Sequence, residues 1–235
     1  MELPERLAIL GRHAALLVEP DTRVGLGSGS TAEAFIRALG DRVSEGLLIE
    51  GIATSRNTER LASSLAIPLV SIDRIDSIDV GVDGADEIDP ALNLTKGRGG
   101  ALLFEKLVAR ACRQFVVVAA SEKVVPRLGM RTPLPVEVVP FAWHHTSAAL
   151  EALGLSVTLR RLDAAPSSHP FLTDGGHFIL DCVTGPVSDA PSLANLIKAI
   201  PGVVDHGYFV GMASTALIVD PKGEVKTVVP VSPAE

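Results

Sequence analysis

Cysteine, tryptophan and tyrosine are nearly missing from this chain: two, one and one among 235 residues. Cys112 and Cys182 lie far apart without partner spacing, which excludes a disulfide framework and a cysteine-based zinc site and fits a reducing compartment. Basic residues are also in deficit, 21 Lys and Arg against 28 Asp and Glu for a net charge of −7. General nucleic-acid binding needs a basic face to neutralise phosphates, so that class is excluded. A small anionic ligand needs only one local cluster of donors and stays admissible. No apolar run approaches the ~20 residues that span a bilayer. The first residues, MELPERLAIL, are acidic where a secretory signal is basic. A soluble cytoplasmic protein with no membrane partner is expected. Repeats and low-complexity tracts are missing too. What is present is an ordinary globular balance, 47 % hydrophobic and 21 % charged, enough for one large domain or two modest ones.

Apolar spacing predicts a helix over residues 3–18, with Pro4 in its first turn. A short strand at 23–27 leads into Gly27, Ser28, Gly29, Ser30 and Thr31, and a helix follows at 32–39, stopped by Gly40. Strands are expected at 47–53, 68–70, 78–82 and 115–119, with helices at 57–65 and 102–113. Strands alternating with helices, without period-2 polarity, argue a parallel sheet covered on both faces. Beyond Lys123 the pattern changes. Pro126, Pro133, Pro135 and Pro140 come in quick succession, and proline breaks helices and central strands alike. Residues 136–139 alternate like a strand, 146–153 and 193–200 are helical, and 157–162 and 178–183 form an antiparallel pair. Strands at 216–219 and 225–229 then rejoin the first sheet. The fold class expected is α/β: a Rossmann-like, mostly parallel sheet at 1–130 and 207–235, with a smaller ferredoxin-like α+β domain inserted at 131–206.

The densest chemistry lies in residues 79–106, DVGVDGADEIDPALNLTKGRGGALLFEK. Asp83, Asp86, Glu87, Asp89, Lys96, Arg98 and Glu105 surround Gly84, Ala85 and the Gly97, Gly99, Gly100 cluster, between a strand and a helix. The two aspartates at the strand end suit sugar hydroxyls, or magnesium as the chief rival. Lys96 and the glycine turn offer a cation and backbone donors, the means of stabilising an oxyanion. Glu105, a turn into the following helix, is either the base facing that oxyanion or an exposed residue paired with Arg98. The earlier glycine loop, with three hydroxyls at a helix N-terminus, is an anion cradle suited to phosphate. The Gly-Lys-Ser/Thr ending of a P-loop is lacking. Ser30 stands where a dinucleotide fingerprint needs glycine, although Glu50 is placed like that fold's ribose-binding acid. Lys123, after the 115–119 strand, adds a counter-charge for phosphate. The hydroxyl-rich 54–58 segment reads, taken alone, as a helix cap. His144 and His145 have no third ligand at metal spacing. No Gly-x-Ser-x-Gly elbow has convincing partners.

Seven segments share their order with one family: VGLGSGSTA (24–32), VDGADEID (82–89), KGRGGAL (96–102), EKLV (105–108), SEKVV (121–125), PLPVEVVPFA (133–142) and PGVVDHGYF (201–209). The chain resembles the ribose-5-phosphate isomerase A family over nearly its whole length. The DGADE and KGxGG motifs with Glu-Lys at this spacing are specific to it. The resemblance implies interconversion of ribose 5-phosphate and ribulose 5-phosphate through an enediol, with Glu105 as the proton acceptor. It implies Asp83 and Asp86 as sugar-binding residues assisting ring opening, and Lys96 beside the reacting oxygens. Ser28, Gly29, Ser30, Thr31, Gly84, Ala85, Gly97, Arg98, Gly99 and Lys123 are the implied substrate-binding positions. No metal or organic cofactor is implied, and the assembly implied is a homodimer or homotetramer. Phe104 stands where arginine is common in the family, Thr173-Asp174-Gly175-Gly176-His177 replaces TDNGN, and only Arg6 supplies a basic side chain near the start of the first helix. The rival readings are a non-catalytic sugar-phosphate sensor, for whose signalling appendage the chain leaves no room, and a CoA-transferase-like or aminosugar-deaminase enzyme on fold analogy.

Overall fold

In the computed structural model, residues 1–163 and 168–230 are described. Residues 164–167 and 231–235, which the expected domain ranges include, lie outside them. The chain begins with helix α1 (Leu3–Ala15), strand β1 (Thr22–Leu26), helix α2 (Ser30–Ser44), strand β2 (Ile49–Ala53), helix α3 (Arg56–Ser64) and strand β3 (Ile78–Gly84). Two short strands follow, β4 (Glu87–Ile88) and β5 (Leu94–Thr95), then helix α4 (Leu102–Ala111) and strand β6 (Cys112–Ala120). Next come β7 (Leu134–Val138), α5 (Trp143–Glu151), β8 (Ser156–Leu159), β9 (Phe178–Val183), α6 (Ala190–Lys198) and β10 (Val203–His206). The chain closes with β11 (Tyr208–Phe209), β12 (Thr215–Val219) and β13 (Val225–Val228).

The architecture is mixed α/β, with a six-stranded sheet ordered β13-β12-β6-β3-β1-β2. Its pairings are parallel except β12 with the edge strand β13. The central run Phe115-Val116-Val117-Val118-Ala119 shows why alternation is lacking. Val116 and Val118 enter the core under α1 and α2, while Phe115, Val117 and Ala119 enter a second core on the opposite face with Ala109 and Phe209. With both faces covered, each position is apolar. The late strands join this sheet as expected. A second, four-stranded sheet is ordered β10-β7-β9-β8 and packs α5 and α6 around its own cluster, including Val136, Leu150, Leu180 and Ile197. A third sheet, β11-β5-β4, was not expected; its strands are two residues each, too short for a pattern to show.

Four local expectations are corrected. Gly40 does not stop α2, which continues to Ser44; a Cβ there would lie 2.9 Å from the Leu65 Cβ, so glycine answers to packing between helices. Residues 68–70 make one isolated bridge, Gly51 to Leu69, instead of a strand. Residues 134–138 do not alternate, for every one is buried, and Pro135 lies inside β7, a central strand. It is tolerated because its carbonyl accepts from Gly207 N at 2.7 Å, beyond the last β10 pair at Val136, so the missing N–H on that side takes no bond from the β9 ladder.

Helix α1 crosses α2 at Gly11, where an added Cβ would meet the Ala34 carbonyl oxygen at 2.4 Å and Phe35 N at 2.8 Å. That contact sets the position of α2 and of the glycine loop at its N-terminus. In a free helix Gly→Ala gains about 1 kcal/mol. Here Gly11→Ala is expected to destabilise instead, by roughly 1–3 kcal/mol of overpacking, read as a lower Tm in calorimetry. A Tm equal to or above the parent's would overturn the close-crossing account.

Candidate active site

The parallel strands β1, β3 and β6 end on one edge of the large sheet, where ligands gather in open α/β folds. A cavity of about 300 Å³ opens there, lined by residues 28–31 after β1, by Gly84, Ala85 and Asp86 after β3, and by Lys123 after β6. Lys96, Gly97, Arg98 and Gly99 close one wall and Glu105 of α4 another. Thirteen of the fourteen residues expected at the site line it, and the fourteenth, Asp83, lies directly behind Lys96.

The centre is a buried charge cluster. Lys96 Nζ sits 3.0 Å from Asp83 Oδ2 and 3.5 Å from Glu105 Oε2, with all three side chains 6 % exposed or less. It donates to the Gly84 carbonyl at 2.7 Å. Asp83 Oδ1 accepts from Ser28 N at 3.1 Å and Gly84 N at 2.7 Å. That approach needs Gly27, where a Cβ would fall 2.3 Å from the Asp83 carboxylate carbon. Among the described residues Glu105 Oε2 is buried without a hydrogen-bond partner, and Lys96 is the one cation within 4 Å of it. The Glu105–Arg98 pairing left open by the sequence is not formed; Arg98 is exposed, and its N–H donates to Asp86 Oδ2 at 3.0 Å.

Burial pushes the Glu105 carboxyl up to about 8, and the Asp83 and Asp86 charges add to this against the pull of Lys96. Burial alone would lower the Lys96 ammonium, but the Asp83 and Glu105 carboxylates outweigh it and hold it above its ordinary value. Asp83 is also raised by burial, with Lys96 and two backbone N–H groups opposing. Two carboxylates thus share one ammonium, both are raised by burial, and Glu105 has the fewer donors to oppose it.

At the other end of the cavity, α2 begins at Ser30 with unsatisfied first-turn N–H groups and the hydroxyls of Ser30 and Thr31. The Ser28 hydroxyl is engaged elsewhere, with Thr54 Oγ1 at 2.9 Å, Ser55 Oγ at 2.8 Å and Thr58 Oγ1 at 3.1 Å. Ser55 caps α3 by accepting from Thr58 N at 3.1 Å. The 54–58 segment is therefore a cap that buttresses the loop, as its plain reading had it. Lys123 has no ion pair among the described residues. Arg6 does not line the cavity: it is buried with its Nη2 donating to Glu122 Oε1 at 2.6 Å. Glu50 is held by Arg23 at 3.1 Å and does not line the cavity, which further weakens the dinucleotide reading.

Two acids of the central stretch are structural. Glu87 is fully buried and accepts from Gly129 N and Arg131 N, each at 2.6 Å. Asp89 closes a turn through Ala91 N at 2.9 Å and Asn93 N at 2.8 Å. Among the described residues no group of three or more His, Cys, Asp or Glu is arranged to hold a metal, and no helix is long and apolar enough to cross a membrane. Sequence reasoning missed the groups that reach the site from the four-stranded sheet. Arg160 donates to the Gly97 and Arg98 carbonyls, and Asp174 accepts from Arg56 N at the start of α3 at 2.8 Å. The departing 173–177 stretch is itself anchored by Glu137, whose Oε1 receives Thr173 Oγ1 at 2.8 Å and contacts His177 Nδ1 at 2.9 Å. No motif links these distant positions, and only the fold joins them.

Residues 50–223 match the family described as ribose 5-phosphate isomerase A (phosphoriboisomerase A). The chain is 50 % identical over 208 residues to ribose-5-phosphate isomerase A of Thermomicrobium roseum, covering 88 % of this chain and 86 % of that one. It is similar to the solved ribose 5-phosphate isomerase A of Methanocaldococcus jannaschii, with a TM-score of 0.90, 38 % identity and 96 % and 98 % of the two chains covered. A D-ribose-5-phosphate isomerase solved in complex with phospho-erythronic acid aligns with a TM-score of 0.92 at 36 % identity, covering 97 % of this chain and 100 % of the other. By profile, relatives and fold together, the chain belongs to the ribose 5-phosphate isomerase A family.

Proposed function

We propose that this chain interconverts D-ribose 5-phosphate and D-ribulose 5-phosphate, the non-oxidative step of the pentose phosphate pathway, by proton transfer. Glu105 removes the proton from C2 of the open-chain aldose and returns it to C1, while the hydroxyl proton moves between the two oxygens of the enediolate. Lys96 and the 97–99 turn stabilise the negative charge that develops on those oxygens. Asp83 and Asp86 hold sugar hydroxyls and assist ring opening. The phosphate rests on the α2 N-terminus, Ser30, Thr31 and Lys123. One observation carries this reading: the buried Glu105 oxygen is unpaired except for Lys96 at 3.5 Å and belongs to a cavity whose opposite wall is an anion cradle. The phospho-erythronic acid of the solved relative suits such a site, since it joins a phosphate to a planar anionic end.

The same reading assigns the large sheet, residues 1–130 and 207–235, to a Rossmann-like catalytic domain. It assigns residues 131–206 to an inserted ferredoxin-like domain, supported by the β7-α5-β8-β9-α6-β10 order and its separate core. A cytoplasmic homodimer or homotetramer without cofactor completes the proposal. Transfer of solvent deuterium into the sugar at C1 or C2, measured with and without EDTA, tests the chemistry. Incorporation insensitive to EDTA supports it, and no incorporation overturns it.

Glu105→Gln is expected to lower kcat by ~10²–10⁴, the usual worth of a positioned general base, with KM changed little. Activity near the parent's would sink the assignment. The base works deprotonated, so kcat/KM should climb with pH and level off above about 8; a flat profile from pH 5 to 9 contradicts it. The raised carboxyl also bears on stability. The folded state keeps a proton that the unfolded chain has released, so stability falls as pH rises from 4.5 through about 8. The Gln variant is spared this, and its Tm should exceed the parent's at high pH and converge with it in acid. Ser30→Ala and Lys123→Ala should chiefly raise KM, and a loss confined to kcat would contradict their phosphate role.

A further inference from the structure

We infer that Arg160 is a positioning residue for the isomerisation: from outside the cavity it fixes the peptide planes of the 96–100 turn and so aims the Gly99 N–H at the reacting oxygens. The inference rests on the function proposed above. Arg160 follows β8 in the four-stranded sheet and does not line the cavity. Its guanidinium is largely buried and uses its donors in two directions. Nε and Nη2 form a fork on the Asp181 carboxylate, with Nε to Oδ2 at 2.9 Å. Nη1 reaches across to the Gly97 carbonyl at 3.1 Å and the Arg98 carbonyl at 2.9 Å.

Peptide planarity makes those two contacts informative. In a trans peptide the C=O and the following N–H point in opposite directions. Holding the Gly97 carbonyl toward Arg160 turns the Arg98 N–H the other way, where it is found on Asp86 Oδ2 at 3.0 Å. Holding the Arg98 carbonyl toward Arg160 likewise turns the Gly99 N–H away. Gly99 lines the cavity, and its N–H has no partner among the described residues. With the Gly97 N–H it is one of two donors of the turn left without a partner among the described residues. Within the turn the Gly100 N–H donates to the Gly97 carbonyl at 2.9 Å and shares in holding that plane, but among the described residues only Arg160 bonds the Arg98 carbonyl and so fixes the plane that carries the Gly99 N–H. Gly97 and Gly100 have φ of +99° and +82°, and Gly99 has no neighbour within 4 Å of an added Cβ. A glycine-rich turn is conformationally permissive and needs an external clamp. Phe171 completes the clamp: it lies under the Arg160 guanidinium at 5.8 Å and packs where a Gly100 Cβ would fall. An ammonium cannot replace the fork, because serving a carboxylate and two carbonyls at once needs a planar group with fixed donors.

The test compares Arg160→Met, Arg160→Lys and the parent with ribose 5-phosphate. Displacing a reacting group by an ångström costs up to ~100-fold in rate. A fall in kcat of about 10- to 100-fold is expected for both variants, with KM and the affinity for inorganic phosphate within about threefold. Guanidinium ion added to Arg160→Ala should restore part of the lost kcat, which a purely structural defect would not allow. Full kcat in Arg160→Lys shows that charge alone suffices and overturns the inference. So does a change confined to KM or phosphate affinity. Should the Arg160 variants fail to fold, Asp181→Asn loosens the fork with Arg160 in place, and an unaltered kcat there overturns the inference equally. Absence of isomerisation by the unaltered chain overturns the proposed function and this inference together; normal parent activity with normal variants overturns this inference alone.

Discussion

One buried ammonium holds the site together. Lys96 lies between the Asp83 and Glu105 carboxylates, out of water, with the Gly84 carbonyl as its remaining acceptor. Removing an ion from water costs several kcal/mol, and only close, well-aligned partners offset it. Two carboxylates to one ammonium leave an excess negative charge, and the imbalance falls on the acid with the fewest donors. Asp83 has two backbone N–H groups and Lys96, whereas Glu105 has Lys96 alone at longer range. Identical functional groups thereby acquire different environments: one a well-supplied acceptor, the other a carboxyl raised to about 8.

The rest of the fold supplies the positions this cluster requires. Asp83 comes from the end of a central parallel strand, where Gly27, just past the neighbouring strand, leaves room for its carboxylate. Lys96 is set by the small β11-β5-β4 sheet, with its own N–H donating to the Gly207 carbonyl at 2.8 Å. Glu105 arrives on the first turn of α4, whose next residue Lys106 bonds Asp205 and the His206 carbonyl. Those anchors lie late in the chain, so the finished cavity depends on β10 and β11, which pair in the two smaller sheets. The four-stranded sheet does more than pack on its neighbour. It grips the glycine turn through Arg160 and caps α3 through Asp174. The hydroxyl network of Thr54, Ser55 and Thr58 does the same for the glycine loop at Ser28.

Much of this was legible in the residues. Strong apolar runs and glycine punctuation located the large sheet's strands, since a doubly covered parallel sheet leaves a continuous hydrophobic signal. Misreadings arose where one local rule had two physical meanings. Gly40 carries the mark of a helix stop, yet it is small because Leu65 presses on the helix. Pro135 argued against a central strand, yet it stands where no ladder N–H is required. Glu87 and Asp89 carry the same charge as their neighbours Asp83 and Asp86, but backbone donors fix them in structural places, Glu87 buried and Asp89 half-buried in a turn.

By itself the sequence determined the chemistry at hand: which acids, which lysine and which hydroxyls stand beside glycines at strand ends, and in what order. Those features are local, and short-range spacing on strands and helices is enough to bring them to one edge. Only the tertiary structure decided how many donors each acid receives, because that depends on the count and distance of groups contributed by distant segments. It also decided that Ser28 spends its hydroxyl on a neighbouring loop, and that Arg160 governs a turn it follows by more than sixty residues. Electrostatic environment and long-range hydrogen bonding belong to the assembled fold and leave no periodicity in the chain.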